Sequence, residues 1–189
     1  GLMQPTLVDT DYDGKIDIAY VADVYGGLYR IDLREDTASH QNRNRATKIF
    51  QAAANQKVIS APAVLRLKQN QYVVVMGTGS DIFESDLNDK NTQSIYGIYD
   101  DVENLTPEEI SRNDLLAQTM TTVGTRRSVS QNGKVEDKDN KMTLMDASGS
   151  LKYKGWYLDF NDTKGERILA KPEMLLKTVL FTTRNYQLS

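Results

Sequence analysis

Apolar residues recur at every second position through much of this chain, in short runs cut by turn residues. That period-two pattern predicts β-strands with one buried face. In "KIDIAYVADVYGGLYRIDL" (15–33) two such runs flank a turn near Asp23–Gly27, and Tyr29, Ile31 and Leu33 alternate with Arg30 and Asp32. Further strands are expected at 46–50 ("ATKIF"), 57–60 ("KVIS"), 61–67 ("APAVLRL"), 71–79 ("QYVVVMGTG") and 94–100 ("SIYGIYD"). The second half adds 141–146 ("KMTLMD"), 154–160 ("KGWYLDF"), 166–170 ("ERILA") and 178–183 ("TVLFTT"). The polar stretch "KQN" predicts a hairpin between 61–67 and 71–79, and "DFNDTKGER" predicts another between 154–160 and 166–170.

Two segments break this rhythm. "LTPEEISRNDLLAQTM" carries Thr106, Pro107 and Glu109 in capping-box order, with Ile110, Leu115, Leu116 and Met120 available to one face. It predicts a short helical insertion over approximately 102–120. Residues 128–141, poor in apolar side chains, predict a flexible loop or exposed hairpin tip. Short strands at this spacing fit a sandwich, a barrel or a propeller, and periodicity does not choose among them.

Composition narrows the function more than the fold. The 189 residues are 39% apolar and 26% charged, with a formal net charge of −3. A single globular unit over 1–189 is expected, and a near-neutral chain without a basic stripe does not point to nucleic acid. No apolar run approaches the ~18 residues of a spanning helix, so membrane insertion is not expected. The opening "GLMQPT" has neither the basic start nor the apolar core of a leader, so an export signal is expected upstream of a fragment. Cysteine is absent, removing disulfides and thiolate chemistry. The single histidine, His40, lies in the polar run "ASHQNRNRATK" and reads as a solvated residue rather than as part of a catalytic triad.

The sharpest chemical signal is "VDTDYDGKIDIAYV" at 8–21. Asp9, Asp11 and Asp13 occupy positions one, three and five of a DxDxDGxxD loop, Gly14 is sixth, Lys15 seventh and Asp17 ninth. Calcium takes about 6–8 oxygen ligands, and this spacing wraps carboxylates, with the Lys15 carbonyl, around one point. An EF-hand would place a bidentate glutamate at position twelve, where this chain has Tyr20. The loop is therefore EF-like but leads into a strand. Calcium is the expected ion, since magnesium demands tighter octahedral geometry.

Other signals are weaker. "GTGSD" (77–81) lacks the ending of a phosphate loop and suggests close backbone packing at a strand end. Asp81, Glu84, Asp86 and Asp89 match no ligand template and read as a solvated loop. Asp137 and Asp139 read as a mixed-charge tip, and Arg43, Arg45 and Lys48 as a polar loop. Trp156 reads as a core-facing aromatic with Tyr157 and Leu158 as its strand neighbours.

Four stretches taken in order, 8–33, 61–87, 93–101 and 154–183, resemble the C-terminal domain of the PilC/PilY family of type IV pilus tip adhesins and biogenesis factors. The resemblance implies a modified β-propeller of which this chain is a part, made of short antiparallel strands and hairpins. A blade takes about 40–50 residues, so about four blades are expected from this C-terminal portion, either packed against the remainder of the parent propeller or left as an open, edge-exposed sheet array. It implies a non-enzymatic domain that supports pilus extension against retraction and host-cell attachment, with calcium bound by Asp9, Asp11, Asp13, Asp17 and the Lys15 carbonyl. The implied partners are pilin or minor pilins and a host-cell receptor. The implied location is exported: the bacterial surface or pilus tip, outer membrane or periplasm. No RGD tripeptide is present, so an integrin-type contact does not carry over. Two alternatives stay open: a quinone-dependent propeller dehydrogenase, which "GGLYRIDL" also resembles, and an integrin-α-like calcium-blade module, which would carry several such acidic loops where this chain has one.

Overall fold

In a computed structural model of the chain, which describes residues 1–37, 45–138 and 141–186, two sheets face each other across one apolar layer. His40, Arg43 and Asp139 lie outside the described residues. The first sheet has four strands in sequence order, β1 (Thr6–Val8), β2 (Ile18–Ala22), β3 (Gly27–Asp32) and β4 (Ala46–Gln51), all antiparallel. β5 (Ala63–Lys68) and β6 (Gln71–Gly77) then form the predicted hairpin. A single-turn helix, α1 (Glu84–Leu87), precedes β7 (Ser94–Asp101).

The second sheet is completed by β8 (Leu116–Gln118) and, much later, β14 (Gly155–Asp159). Between them lie β9 (Met120–Val123), β10 (Arg126–Val129), β11 (Lys134–Lys138), β12 (Lys141–Met145) and β13 (Lys152–Tyr153). β14 gives the five-stranded order β5-β6-β7-β14-β8, and β15 (Glu173–Leu175) with β16 (Thr178–Leu180) closes the chain as a small hairpin. The β14–β8 pair is parallel, and β8 lies in the segment expected to be helical.

β6 explains why its sequence reads as one apolar run. All seven of its residues are buried, because the sheet is covered on both faces. Tyr72, Val74 and Met76 meet Ile18, Tyr20, Leu28 and Phe50 of the first sheet. Val73 and Val75 point the other way, toward Ile95, Leu158, Phe160 and Ile168. Side chains alternate across a strand, so each face feeds a different core.

Several expectations change at this level. The helix expected over 102–120 contracts to one 3-10 turn at Arg112–Asp114. The capping arrangement expected at Thr106 stands instead at Ser111, whose amide and hydroxyl both donate to Asp114 at 2.8 Å. Ile110 forms a parallel bridge with Phe50 on the edge of β4, and Leu116–Gln118 joins β14. Short helices are marginal in water, and strand pairing takes these residues instead.

The segment 128–141, expected as a flexible loop, holds the end of β10 and all of β11 among its described residues. Every residue of β11 is exposed, and pairing with β12, whose Leu144 and Met145 are buried, orders it. "ERILA" makes only a bridge between Arg167 and Arg184, so the hairpin expected with 154–160 does not form. Residues 57–60 are not a strand either, although the Gly79 amide donates to the Lys57 carbonyl at 2.7 Å. Instead of about four blades, the described residues give sheets of four, five, three, two and two strands. Residues 120–129 and 173–180 form two-stranded hairpins, and 134–138 and 141–145 form a three-stranded sheet with β13.

Candidate metal centre

The acidic loop is the tip of the β1–β2 hairpin. Val8 pairs with Ile18, and the Asp17 amide donates to the Val8 carbonyl at 2.9 Å, so residues 9–17 leave and rejoin the sheet at one point. The Leu33 amide donates to the Asp17 carbonyl at 2.7 Å and ties the loop to the end of β3. Inside, carboxylates face backbone amides. Asp9 accepts from Tyr12 at 2.6 Å and Gly14 at 2.8 Å, Asp11 from Asp13 at 3.1 Å, and Asp13 from Lys15 at 2.8 Å. Asp17 accepts from both the amide and the hydroxyl of Thr10, at 2.7 and 2.5 Å. Side chains that bind amides two to five residues along are what drives this sequence into a turn.

Two left-handed residues make the curvature: Tyr12 at φ 66° and Gly14 at φ 90°. A Cβ on Gly14 would meet nothing within 4 Å, so glycine serves there for its backbone freedom and not for space.

Asp9, Asp11 and Asp17 each offer an oxygen within 4.8 Å of one another. Desolvation pushes the Asp9 carboxyl up, but the amides of Gly14, Tyr12, Asp11 and Asp13 outweigh it and hold its pKa below the ordinary value. Asp13 stands outside this group, tied to the Lys15 amide and 3.4 Å from its ammonium. It does line the polar cleft of about 450 Å³ beside the loop, with Asp11, Asp17, Arg34, Asn70 and Glu103. The donor set is hard oxygen, partly exposed and preformed by the loop's own amides, which fits a hard divalent cation.

Tyr20, at position twelve, lies in the core. Its hydroxyl donates to Asp100 at 2.7 Å, and Asp100 also forms a buried ion pair with Arg30 at 2.8 Å. Burial first, then the neighbouring Asp100, pushes the Tyr20 hydroxyl well above its usual pKa.

The weaker sequence signals resolve into structure. A Cβ on Gly77 would stand 2.4 Å from the Ile168 side chain, the close packing expected of "GTGSD". Asp86, expected in a solvated loop, is instead buried. It accepts from Lys57 at 2.6 Å, Ser80 at 2.5 Å and the Phe83 amide at 3.2 Å. Desolvation raises its pKa, yet those bonds prevail and bring it to about 2. Asp81 pairs instead with Tyr186 and Arg184, so 81–89 forms no convergent carboxylate set. Asp137 pairs with Lys68 at 2.6 Å and Lys48 with Glu109 at 3.6 Å. Trp156 lies over Gly97, where a Cβ would be 2.3 Å from its ring.

Two polar clusters gave no signal in sequence. Arg167, fully buried, donates to the carbonyls of Gly165, Ser80, Asp86 and Asp89. Arg112 stacks on Tyr157 at 3.7 Å and donates to Tyr96 and Asp159. Each assembles residues far apart in the chain, which local spacing does not register.

Comparison with known proteins places this architecture. The family model described as the PilY1 beta-propeller domain matches residues 1–132. The type IV pilus biogenesis factor PilY1 of Pseudomonas aeruginosa is 30% identical over an alignment covering 97% of this chain and 18% of that protein. A PilY1 homolog of Xylella fastidiosa is 25% identical over 97% of this chain and 13% of its own length. This chain therefore spans less than a fifth of those relatives. The crystal structure of the Pseudomonas aeruginosa PilY1 C-terminal domain superposes with a TM-score of 0.74 at 27% identity, covering 98% of this chain and 45% of that one.

Proposed function

The chain belongs to the PilY1 β-propeller family, and on that footing we propose that it is a calcium-binding, non-enzymatic part of a type IV pilus biogenesis factor. The observation that carries the calcium reading is the convergence of Asp9, Asp11 and Asp17 on a loop already shaped by its own amides. In this reading those three carboxylates hold the ion, with Asp13 and the Lys15 carbonyl as the remaining ligands of the loop. Bound calcium supplies charge neutralisation where three carboxylates meet. The protein's part is to hold them there: Thr10 orients Asp17, the Tyr12 and Gly14 amides orient Asp9, and Leu33 anchors the loop's exit to β3.

The relatives' names support the pilus assignment and the non-enzymatic reading, and with them a location at the bacterial surface or pilus tip. Among the described residues no helix is long and apolar enough to cross a membrane. Support of extension against retraction, contacts with pilin or minor pilins, and attachment to a host-cell receptor belong to the proposal for the parent protein.

Calcium titration by calorimetry tests the site. The wild type is expected to bind one ion. With Tyr20 unavailable as a ligand, the dissociation constant is expected near the 10⁻⁴–10⁻³ M typical of extracellular modules, taken as about that order. Asp17→Asn and Asp9→Asn are expected to lose the heat. A wild type that gives none overturns the reading.

A further inference from the structure

Tyr12 stands out from the acidic loop with 75% of its surface exposed, yet its ring is not idle. The Arg66 guanidinium, from β5 of the other sheet, lies 4.9 Å from the ring centroid. That stack ties the loop at the tip of the first sheet to the edge strand of the second. Its geometry depends on the loop, because Tyr12 is left-handed and its amide is held by Asp9, one of the three converging carboxylates. Anything that fixes Asp9 therefore fixes where the Tyr12 ring stands.

The same region carries other links between the sheets. The Thr6 hydroxyl of β1 donates to the Pro62 carbonyl beside β5 at 2.5 Å. Arg34, just past β3, donates to Glu103 and to the Val102 carbonyl, both at 2.7 Å. Tyr72 of β6 is buried at this joint, its hydroxyl has no hydrogen-bond partner among the described residues, and Arg66, Tyr12, Asp17 and Arg34 all act on it electrostatically. A buried hydroxyl left without a partner marks a contact that a small shift can improve.

We propose that the Tyr12–Arg66 stack couples cation occupancy of loop 9–17 to the β5 edge of the second sheet, so that the ion is sensed across the joint between the sheets. This rests on the calcium reading and deepens it. An ion that draws Asp9 and Asp11 together holds the Tyr12 ring against Arg66, and Arg66 in turn restrains β5. By linkage the effect is reciprocal: whatever factor the ion contributes to the stack, the stack contributes to the ion's affinity.

The test is a double-mutant cycle read by calorimetry with calcium alone, at about 0.15 M salt. Removing Arg66 also removes a positive charge near the loop, which by itself favours the cation. Tyr12→Ala is therefore measured in both the wild-type and the Arg66→Ala backgrounds, and the cycle cancels that charge term. In the wild-type background, Tyr12→Ala is expected to weaken affinity about 2- to 5-fold more than it does in Arg66→Ala, the range of an exposed cation–π contact. Tyr12→Phe, which keeps the ring, is expected to bind as the wild type does. Hydrogen exchange supplies a readout independent of affinity: calcium should slow exchange at residues 63–68 in the wild type but not in Tyr12→Ala. Equal effects of Tyr12→Ala in both backgrounds, with protection confined to 9–17, overturn the coupling while leaving the calcium site in place. A wild type that binds no calcium overturns both.

Discussion

Tyr20 occupies the place where an EF-hand puts its last carboxylate, and the first sheet spends it on packing instead. Its ring belongs to the core and its hydroxyl is committed to Asp100, so on the proposed calcium reading the loop ahead of it is left with the carboxylates it carries between β1 and β2. Asp9, Asp11 and Asp17 meet, while Asp13 turns toward Lys15. The turn that carries these carboxylates was legible in the sequence because its bonds are local: each carboxylate finds amides within seven residues. Asp86 was not legible, since Lys57 reaches it from 29 positions away. With a pKa near 2 in the fold against 3.8 as reference, Asp86 contributes stability that is fully present above about pH 4. That contribution is lost as pH falls from about 4 through 2. Asp86→Asn is expected to lower stability at pH 6 and to flatten the acid limb of the stability–pH curve between about 4 and 2. Urea denaturation across that range measures it; an acid limb identical to that of the wild type contradicts the assignment.

At the scale of elements, β5, β6 and β7 follow directly from apolar periodicity, and the β5–β6 hairpin from its polar turn. The helix expected at 102–120 does not, because Ile110 and Leu116–Gln118 are claimed by strands distant in sequence. Local capping signals are satisfied within one turn, and strand partners decide the rest. α1 and its surrounding loop are held by another distant group, Arg167, whose guanidinium donates to four carbonyls with no solvent exposure to relieve a loss. Arg167→Leu takes this donor from all four carbonyls, of which that of Asp86 keeps the Asp89 amide at 3.1 Å while those of Gly165, Ser80 and Asp89 lose it without replacement. The expected cost is roughly 3 kcal/mol or more, since each orphaned buried acceptor costs about 1–3 kcal/mol before relaxation. The midpoint of chemical denaturation reads it, and a change below about 1 kcal/mol contradicts the role given to this side chain.

Across the whole molecule, one apolar layer joins the two sheets, and the acidic loop sits at the rim of their joint beside Arg34, Asn70 and Glu103. The β-propeller family was recognisable from the order of four sequence stretches, whereas the number of blades was not. Residue count alone does not reveal that much of the second half forms hairpins of two or three strands. A cation bound at the rim acts on the folded state only, because the unfolded chain does not hold Asp17 beside Asp9 and Asp11. Its binding must therefore appear as thermal stability. The melting temperature is best compared in calcium at about a hundredfold excess over its dissociation constant and in chelator. Calcium is expected to raise it by about 5–10 °C for a chain of this size, and Asp17→Asn to abolish the difference. Equal melting temperatures of the wild type in calcium and in chelator would contradict a calcium site at Asp9, Asp11 and Asp17.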